Sequence, residues 1–175
     1  KAQKARRAVQ GGDAAVWRVL RAQGIFRGSG QAPRVAFRVT GQGSQYVNMM
    51  ADLGRAEPLM AAAMEQADRV MAPLLDRPLS SYIFVDVADP ARVAEAEQAL
   101  RQTAVTQPAL LAVEAGLLRL LDAYGVRPDL VMGHSLGEYG ALQAAGALSF
   151  AAGMEAVSAR GREMSNISTP DNGAM

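Results

Sequence analysis

The sequence predicts an α/β domain built on a parallel sheet with flanking helices. Two short runs rich in β-branched, aliphatic or aromatic residues, 34–39 and 130–133, each pass directly into a glycine-rich turn. Several helical segments separate these runs, and further helical segments follow the second one. Because parallel strands are joined by crossover helices and not by tight hairpins, this order favours a sheet covered by helices.

The composition limits the chemistry that the chain can perform. Half of its 175 residues are hydrophobic, and it contains no cysteine and one histidine. These counts exclude a thiol nucleophile, a disulfide framework and cysteine-ligated zinc, and we expect no metal. No run reaches the roughly eighteen uncharged apolar residues of a membrane span, and the basic start lacks an apolar signal segment. We therefore expect a cytoplasmic protein that does not enter a membrane.

Charge is distributed unevenly along the chain. Residues 1–38 contain nine Lys or Arg and one acid, whereas residues 39–175 contain nine Lys or Arg and sixteen acids. A basic segment can meet nucleic acid, a membrane surface or an acidic protein, but a solvated linker is its commonest role. Because only Trp17 and Phe26 interrupt it as aromatics, we do not expect nucleic-acid binding. We predict a basic leader over 1–33 and the main domain over 34–175.

Two helices are predicted in the leader, over Lys1–Val9 and Asp13–Gln23. Asp13 suits the N-cap of the second helix, and Gly24 suits its end. The face of this helix that we expect to be buried carries Val16, Trp17 and Leu20.

The first predicted strand, Arg34–Val39, runs into the glycine-rich loop Thr40–Gln45. Neither a dinucleotide-binding motif nor a phosphate-binding P-loop follows, so the loop is better suited to turning a backbone amide toward an active site. Arg38 is unexpected here, because a charge inside a covered sheet is costly unless it is paired.

The segment between the two runs is predicted to be mainly helical. Helices are expected over Asn48–Leu53, Glu57–Met71 and Ala91–Arg101, and Ser80–Val87 could be extended or helical. The methionines of Glu57–Met71 recur at helical spacing, which is more typical of core filling than of a binding surface.

The strongest helix prediction is Pro108–Tyr124, with Pro108 in the first turn and Gly125 as the C-terminal cap. Apolar residues cover more than half of its circumference, so we expect it to be buried against the sheet. The strand Leu130–Gly133 that follows shows no polar alternation and is therefore expected to be an interior parallel strand.

Gly133-His134-Ser135-Leu136-Gly137 fits the Gly-x-Ser-x-Gly pattern of a nucleophile elbow. A serine at such a strand-to-helix turn projects its hydroxyl above the sheet, and the Leu136 N–H at the helix N-terminus can donate to an oxyanion. Small residues over 140–146 allow the next helix to pack closely on the strand. A further helix is predicted over Phe150–Ser165 with Ser149 as N-cap, followed by a turn at 170–173.

Four short motifs occur in a defined order along the chain. They are Gly41-Gln42-Gly43-Ser44-Gln45, Thr106-Gln107-Pro108-Ala109, Gly133-His134-Ser135-Leu136-Gly137-Glu138-Tyr139 and Ala159-Arg160-Gly161-Arg162. Together they resemble the motifs of malonyl-CoA:acyl carrier protein transacylases and of the acyltransferase domains of polyketide and polyunsaturated-fatty-acid synthases. The resemblance covers 34–175 and implies the α/β-hydrolase-like large subdomain of these enzymes.

The resemblance implies transfer of a malonyl or similar acyl group from CoA to the phosphopantetheine thiol of an acyl carrier protein, through an acyl-serine on Ser135. Gln42 and Leu136 would form the oxyanion hole. Arg160 would hold the free malonyl carboxylate, and His134 and Gln107 would line the substrate site. Acyl-CoA, an acyl carrier protein and other synthase domains in cis are the implied partners, and no cofactor is implied beyond the CoA thioester and the carrier's phosphopantetheine.

Two features depart from the family. Its general base is a histidine downstream of the serine, whereas the single histidine here, His134, precedes Ser135 and is not expected to reach it. The family also inserts a ferredoxin-like small subdomain near the point where residue 175 lies. We therefore expect this chain to be the N-terminal part of an acyltransferase, inactive by itself.

Two other functions stay open from the residues alone. A serine esterase of the α/β-hydrolase type would use the same elbow, but it gives no reason for Arg160 or for the glycine loop. A catalytically dead docking or scaffold fragment would need no base at all.

Overall fold

The computed structural model describes residues 2–11, 14–28 and 30–166. The chain divides into two compact units, residues 1–34 and 35–175. The predicted leader boundary, between residues 33 and 34, lies one residue before this division.

The first unit holds two helices, α1 (Ala2–Gly11) and α2 (Ala14–Ala22). Ala8, Trp17 and Leu20 are buried together, with Ile25 packed against them. Val16, predicted on the buried face, is instead 41% exposed. It is next to Trp17 in sequence and so points about 100° away around the helix, outside the narrow stripe that this small cluster covers. The Asp13 N-cap prediction falls outside the described residues.

The second unit consists of two strands and seven helices within the described residues. Its elements in chain order are β1 (Ala36–Val39), α3 (Ala51–Ala56), α4 (Pro58–Met71), α5 (Leu79–Ile83), α6 (Pro90–Ala99), α7 (Thr103–Ala123), β2 (Leu130–Gly133), α8 (Gly137–Ala144) and α9 (Phe150–Asn166). This order confirms the predicted α/β fold. The predicted turn at 170–173 lies beyond the described residues.

The two strands pair in parallel, with Ala36 opposite Leu130 and Val39 opposite Gly133. The parallel pairing was predicted, but the interior position of β2 was wrong for the described residues, since a two-stranded sheet leaves each strand with a free edge. Alternate side chains of β2 are exposed, including Leu130 at 53%. Arg38 is exposed on β1 in the same way, so the burial cost expected for its charge does not arise.

Helix α7 is the centre of the core and packs against α4, α8 and α9. It begins at Thr103, five residues before the predicted start, and Pro108 lies inside it. Its first turns are stabilised by the buried hydroxyl of Thr106, which donates to the Leu100 carbonyl oxygen, and by close packing on α9. This burial outweighs the usual preference of proline for a first turn. Gly125, with φ of 74°, ends the helix as predicted.

By length and composition α7 could cross a membrane, but two thirds of its most apolar window (67%) is buried by the rest of the structure. It also carries Glu114 among its buried residues. Both properties are typical of the core helix of a globular domain.

The structure corrects one predicted helix in the first half of the second unit and resolves a segment for which the sequence allows either an extended or a helical structure. The helix predicted over Asn48–Leu53 begins only at Ala51, because Asn48 and Met50 have positive φ angles of 60° and 58°. The Asn48 side chain bonds both the N–H and the C=O of Val85, which fixes the irregular segment. Only the first part of the predicted piece Ser80–Val87 is helical, as the end of α5.

Helix α7, which was expected to be buried against the sheet, instead packs mainly on α9 and α4. Two other packing expectations agree with the structure. Met60, Met64 and Met71 are buried on α4, which confirms their role as core residues. Ser149 Oγ accepts a hydrogen bond from the Ala152 N–H (3.3 Å), as an N-cap of α9 should.

Candidate active site

Ser135 lies on the sharp turn between β2 and α8, with a positive φ of 56°. The turn is closed by its own backbone, since the Gly137 N–H donates to His134 O (3.0 Å) and the Glu138 N–H to Ser135 O (3.2 Å). The Ser135 N–H donates to Glu138 Oε1 (3.0 Å). A non-glycine residue in this conformation costs free energy, and such positions concentrate at functional sites.

Glycines allow the elbow, residues 133–137, to fold this tightly. A Cβ at Gly133 would overlap the backbone of Gly137 and Glu138, and a Cβ at Gly137 would lie 2.5 Å from Thr40 O. Only glycine fits at either position. The elbow therefore rests directly on the chain that leaves β1.

That chain is the glycine loop, residues 40–45, which meets the elbow at the carboxyl ends of the two parallel strands. A Cβ at Gly41 would lie 3.3 Å from His134 O, so the two turns are in close contact. A cavity of about 530 Å³ opens beside them. It is lined by Arg38, Val39, Thr40, Gly41, Gln42, Met132, Gly133 and His134.

Gln42 and Leu136 each present a backbone N–H that finds no acceptor in the part of the chain that the structure describes. The Leu136 N–H lies at the N-terminus of α8, where the helix dipole favours negative charge. The Gln42 side chain is held separately, since its Nε2 donates to Thr103 Oγ1 (3.5 Å). Two unpaired backbone donors are thus available on the two turns that meet at Ser135, as an oxyanion hole requires.

Arg160 reaches the serine from α9, and its Nη2 donates to Ser135 Oγ (3.0 Å). The approach is possible because α9 packs very closely on α7, where a Cβ at Gly161 would lie 2.7 Å from Thr103 O. The structure thereby brings together two predicted site residues that are 25 residues apart.

The other two predicted site residues do not bond to Ser135 within the described part of the chain. Gln107 is fully buried on α7, its Nε2 donating to Met164 Sδ (3.3 Å) while its Oε1 is left without a described partner. His134 is exposed and lines the cavity beside Gln42. Their roles in substrate binding stay predictions, as does the absence of a base role for His134.

Sequence reasoning missed a contact beneath the site, between Glu114 and Thr40. Thr40 Oγ1 donates to Glu114 Oε1 (2.7 Å), and Glu114 is 7% exposed. Burial raises the pKa of Glu114 to about 7, although hydrogen bonds from the side chain and backbone of Thr40 act in the opposite direction. The available signal was an acid in the middle of a largely apolar helix, which is rare unless the acid has a partner.

Metal binding finds no support in the side chains that the structure describes, where no three His, Asp or Glu residues come together as a ligand set. The prediction that the site uses no metal is not tested by this arrangement.

Comparison with known proteins assigns a family. A family model described as the acyl transferase domain matches residues 36–175. The chain is 39% identical over 154 residues to the spectinabilin polyketide synthase system protein NorB of Streptomyces orinoci, and the aligned region covers 88% of the chain and 7% of that protein. It is 38% identical over 142 residues to the malonyl CoA-acyl carrier protein transacylase of Bacillus subtilis (strain 168), covering 81% of the chain and 41% of that protein.

A solved structure gives the same result. The structure of a type II polyketide synthase acyl-carrier protein in complex with its malonyl-transacylase matches with 34% identity and a TM-score of 0.64, covering 75% of this chain and 39% of that one. The chain spans less than half the length of each of these three proteins.

Proposed function

The chain belongs to the acyl transferase domain family, and from this premise we propose that it carries the nucleophile and oxyanion hole of a malonyl-transferring enzyme. The donor would be a malonyl or similar acyl-CoA, and the acceptor would be the phosphopantetheine thiol of an acyl carrier protein. Relatives in the family include both a polyketide synthase protein and a transacylase. Other synthase domains in cis would then be partners, and a cytoplasmic location stays a prediction.

Two transfers at Ser135 would make up the reaction. Ser135 Oγ attacks the thioester carbonyl, its proton passes to a base, and the C–S bond breaks to release CoA and leave an acyl-serine. The carrier thiol then attacks the acyl-serine, and Ser135 Oγ leaves with a proton. In both steps the N–H groups of Gln42 and Leu136 stabilise the negative charge on the carbonyl oxygen.

The observation that carries the malonyl assignment is the 3.0 Å hydrogen bond from Arg160 Nη2 to Ser135 Oγ. A malonyl group on Ser135 ends in a free carboxylate two bonds beyond the reacting carbonyl carbon, close to this guanidinium. Guanidinium groups bind carboxylates through two parallel hydrogen bonds, which a serine esterase acting on neutral substrates would not need. The family assignment also argues against the esterase alternative.

The base is not assigned to a residue of this chain. In the described structure Glu138 bonds the backbone N–H of Ser135 and no carboxylate or imidazole bonds Oγ. His134 is the single histidine of the chain. A base histidine following the serine stays an expectation from the resemblance.

Replacing Arg160 tests the proposal. In the complete protein, Arg160→Ala should lower kcat/KM for malonyl-CoA by roughly tenfold to a hundredfold relative to acetyl-CoA, because a charge-assisted hydrogen bond contributes about 1.5–3 kcal/mol. Acetyl-CoA has no carboxylate for the guanidinium to bind, so its transfer should be retained. Steady-state transfer of each acyl group to a carrier protein, in parallel reactions, gives the ratio.

Arg162→Ala is the matched control, since Arg162 is exposed on the same helix two residues further along. It should leave the malonyl-to-acetyl ratio unchanged. Equal losses for the two thioesters in Arg160→Ala would contradict the carboxylate role and would point to a bracing role for this side chain.

A further inference from the structure

Glu114 is a buried carboxyl group that the proposed reaction does not use. Its Oε1 accepts the hydrogen bond from Thr40 Oγ1 (2.7 Å). Its Oε2 has no partner among the described residues and faces α8, where a Cβ at Gly140 would lie 2.9 Å away. Burying a carboxyl with one oxygen unpaired costs free energy, so stabilisation of the fold does not explain this residue.

Thr40 connects this carboxyl group to the oxyanion loop. It is the first residue after β1 and lies two positions before Gln42. Its Oγ1 lies 3.2 Å from Ser44 Oγ, which in turn lies 2.9 Å from Gly41 O. The Ser44 N–H also donates to Gly41 O (3.3 Å). The hydrogen bonds thus run from α7 through Thr40 to both ends of the glycine loop.

The hydrogen bond between Thr40 and Glu114, here called the anchor, does not depend on one ionisation state of the carboxyl group. Because burial raises the pKa of Glu114 to about 7, both forms of the carboxyl are populated near neutral pH. The ionised form accepts the Thr40 proton, and the protonated form can donate to the same oxygen. Among the described residues, two bonds between side chains join the glycine loop to α7. The bond from Gln42 Nε2 to Thr103 Oγ1 is long (3.5 Å) and lies at the first residue of the helix, whereas the bond from Thr40 Oγ1 to Glu114 is short (2.7 Å) and reaches a buried side chain.

We propose that Glu114 and Thr40 are positioning residues that fix the glycine loop on α7, so that the Gln42 N–H faces the carbonyl oxygen of a substrate bound at Ser135. This inference rests on the proposed acyl transfer. It assigns the accuracy of the oxyanion hole to a contact outside the four sequence motifs that contain the catalytic groups.

Pre-steady-state acylation of the complete protein by excess malonyl-CoA, without a carrier protein, tests the proposal. The burst of CoA release has an amplitude that reports the fraction of correctly folded sites and a rate constant that reports oxyanion stabilisation. A role in positioning lowers the rate constant at constant amplitude, whereas a role in folding alone lowers the amplitude at constant rate.

Thr40→Val removes the hydroxyl with little change of shape at an exposed position, so the variant should fold. We expect its acylation rate constant to fall by about tenfold to a hundredfold, part of the effect of losing an oxyanion donor outright. Two conservative single variants should each retain most of the wild-type acylation rate constant. They are Thr40→Ser, which keeps the hydroxyl, and Glu114→Gln, which keeps an acceptor and the side-chain shape. Combining Thr40→Val with Glu114→Ala should cost little more than Thr40→Val alone, because both changes break the same bond.

The chain offers a matched control in a second hydroxyl–carboxylate pair. Ser80 Oγ donates to Asp68 Oδ2 (2.6 Å), which joins α4 to α5 with no bond to the glycine loop. Ser80→Ala should lower the stability without changing the acylation rate constant.

The outcomes separate the two proposals. A normal burst in the wild type, with an unchanged rate constant in Thr40→Val, overturns the positioning role alone. A wild type without any burst, under conditions in which the protein is folded, overturns acyl transfer and with it this inference.

Discussion

The glycine loop and the elbow leave the same edge of the sheet, and each carries a backbone N–H, of Gln42 and of Leu136, without an acceptor among the described residues, but the two turns are held in different ways. The elbow is closed by backbone bonds and by the Gly133 contact within six residues, 133–138, and only its Gly137 contact reaches the chain that follows β1. The glycine loop is anchored through Thr40 to Glu114, 74 residues further along the chain. One turn is therefore defined by its local sequence, and the other depends on tertiary structure.

The largest loss of stability is expected when a methyl group is added to the elbow, and it tests how strictly the local backbone defines this turn. Gly133→Ala would drive its Cβ into the backbone of Gly137, which cannot move without unwinding the start of α8. We expect a loss of about 3 kcal/mol or more in the free energy of unfolding, measured by urea unfolding, because overpacking against backbone has no cheap relaxation.

Gly41→Ala is the corresponding change in the glycine loop. Its Cβ would lie 3.3 Å from His134 O, a contact that a small shift relieves. We therefore expect a loss of only about 1 kcal/mol in the free energy of unfolding. Equal losses for the two variants would mean that the loop is as strictly defined by its backbone as the elbow is.

A further effect should appear in the pH dependence of stability. Glu114 has its pKa raised from 4.5 to about 7 in the folded chain, so the folded state holds its proton at pH values where the unfolded state has lost it. The stability that this group contributes is fully present below pH 4.5 and is lost as the pH rises to about 7. The loss reaches about 3 kcal/mol at most, since one pKa unit corresponds to about 1.4 kcal/mol.

Glu114→Gln removes this titration. Urea unfolding of the wild type and the variant at a series of pH values from 4 to about 8 should show a difference that drifts in favour of the variant as the pH rises. Their difference below pH 4.5 supplies the baseline. A difference that stays constant over this range would show that the carboxyl is not held protonated by burial.

The same contrast explains what could be predicted from the sequence. The tight turn at Ser135, the parallel pairing and the end of α7 at Gly125 follow from local patterns, and the structure agrees with each. The start of α7 was misplaced because the burial of its first turns outweighs the preference of Pro108. The anchor was missed because Glu114 and Thr40 are adjacent only in the folded chain, and in sequence Glu114 merely interrupts an apolar run.

The smallest effect is expected from Glu138→Ala, which tests whether the elbow also needs a side chain to hold it. Glu138 Oε1 accepts from the Ser135 N–H (3.0 Å) in the exposed first turn of α8. Glu138→Ala should cost about 1 kcal/mol of stability, because it removes one charge-assisted bond and one acid at a helix N-terminus. If the backbone alone sets the elbow, the acylation rate constant should change by less than about fivefold, the equivalent of roughly 1 kcal/mol. Should Glu138→Ala instead slow acylation as much as Thr40→Val, both turns would depend on side-chain anchors and the distinction between them would fail.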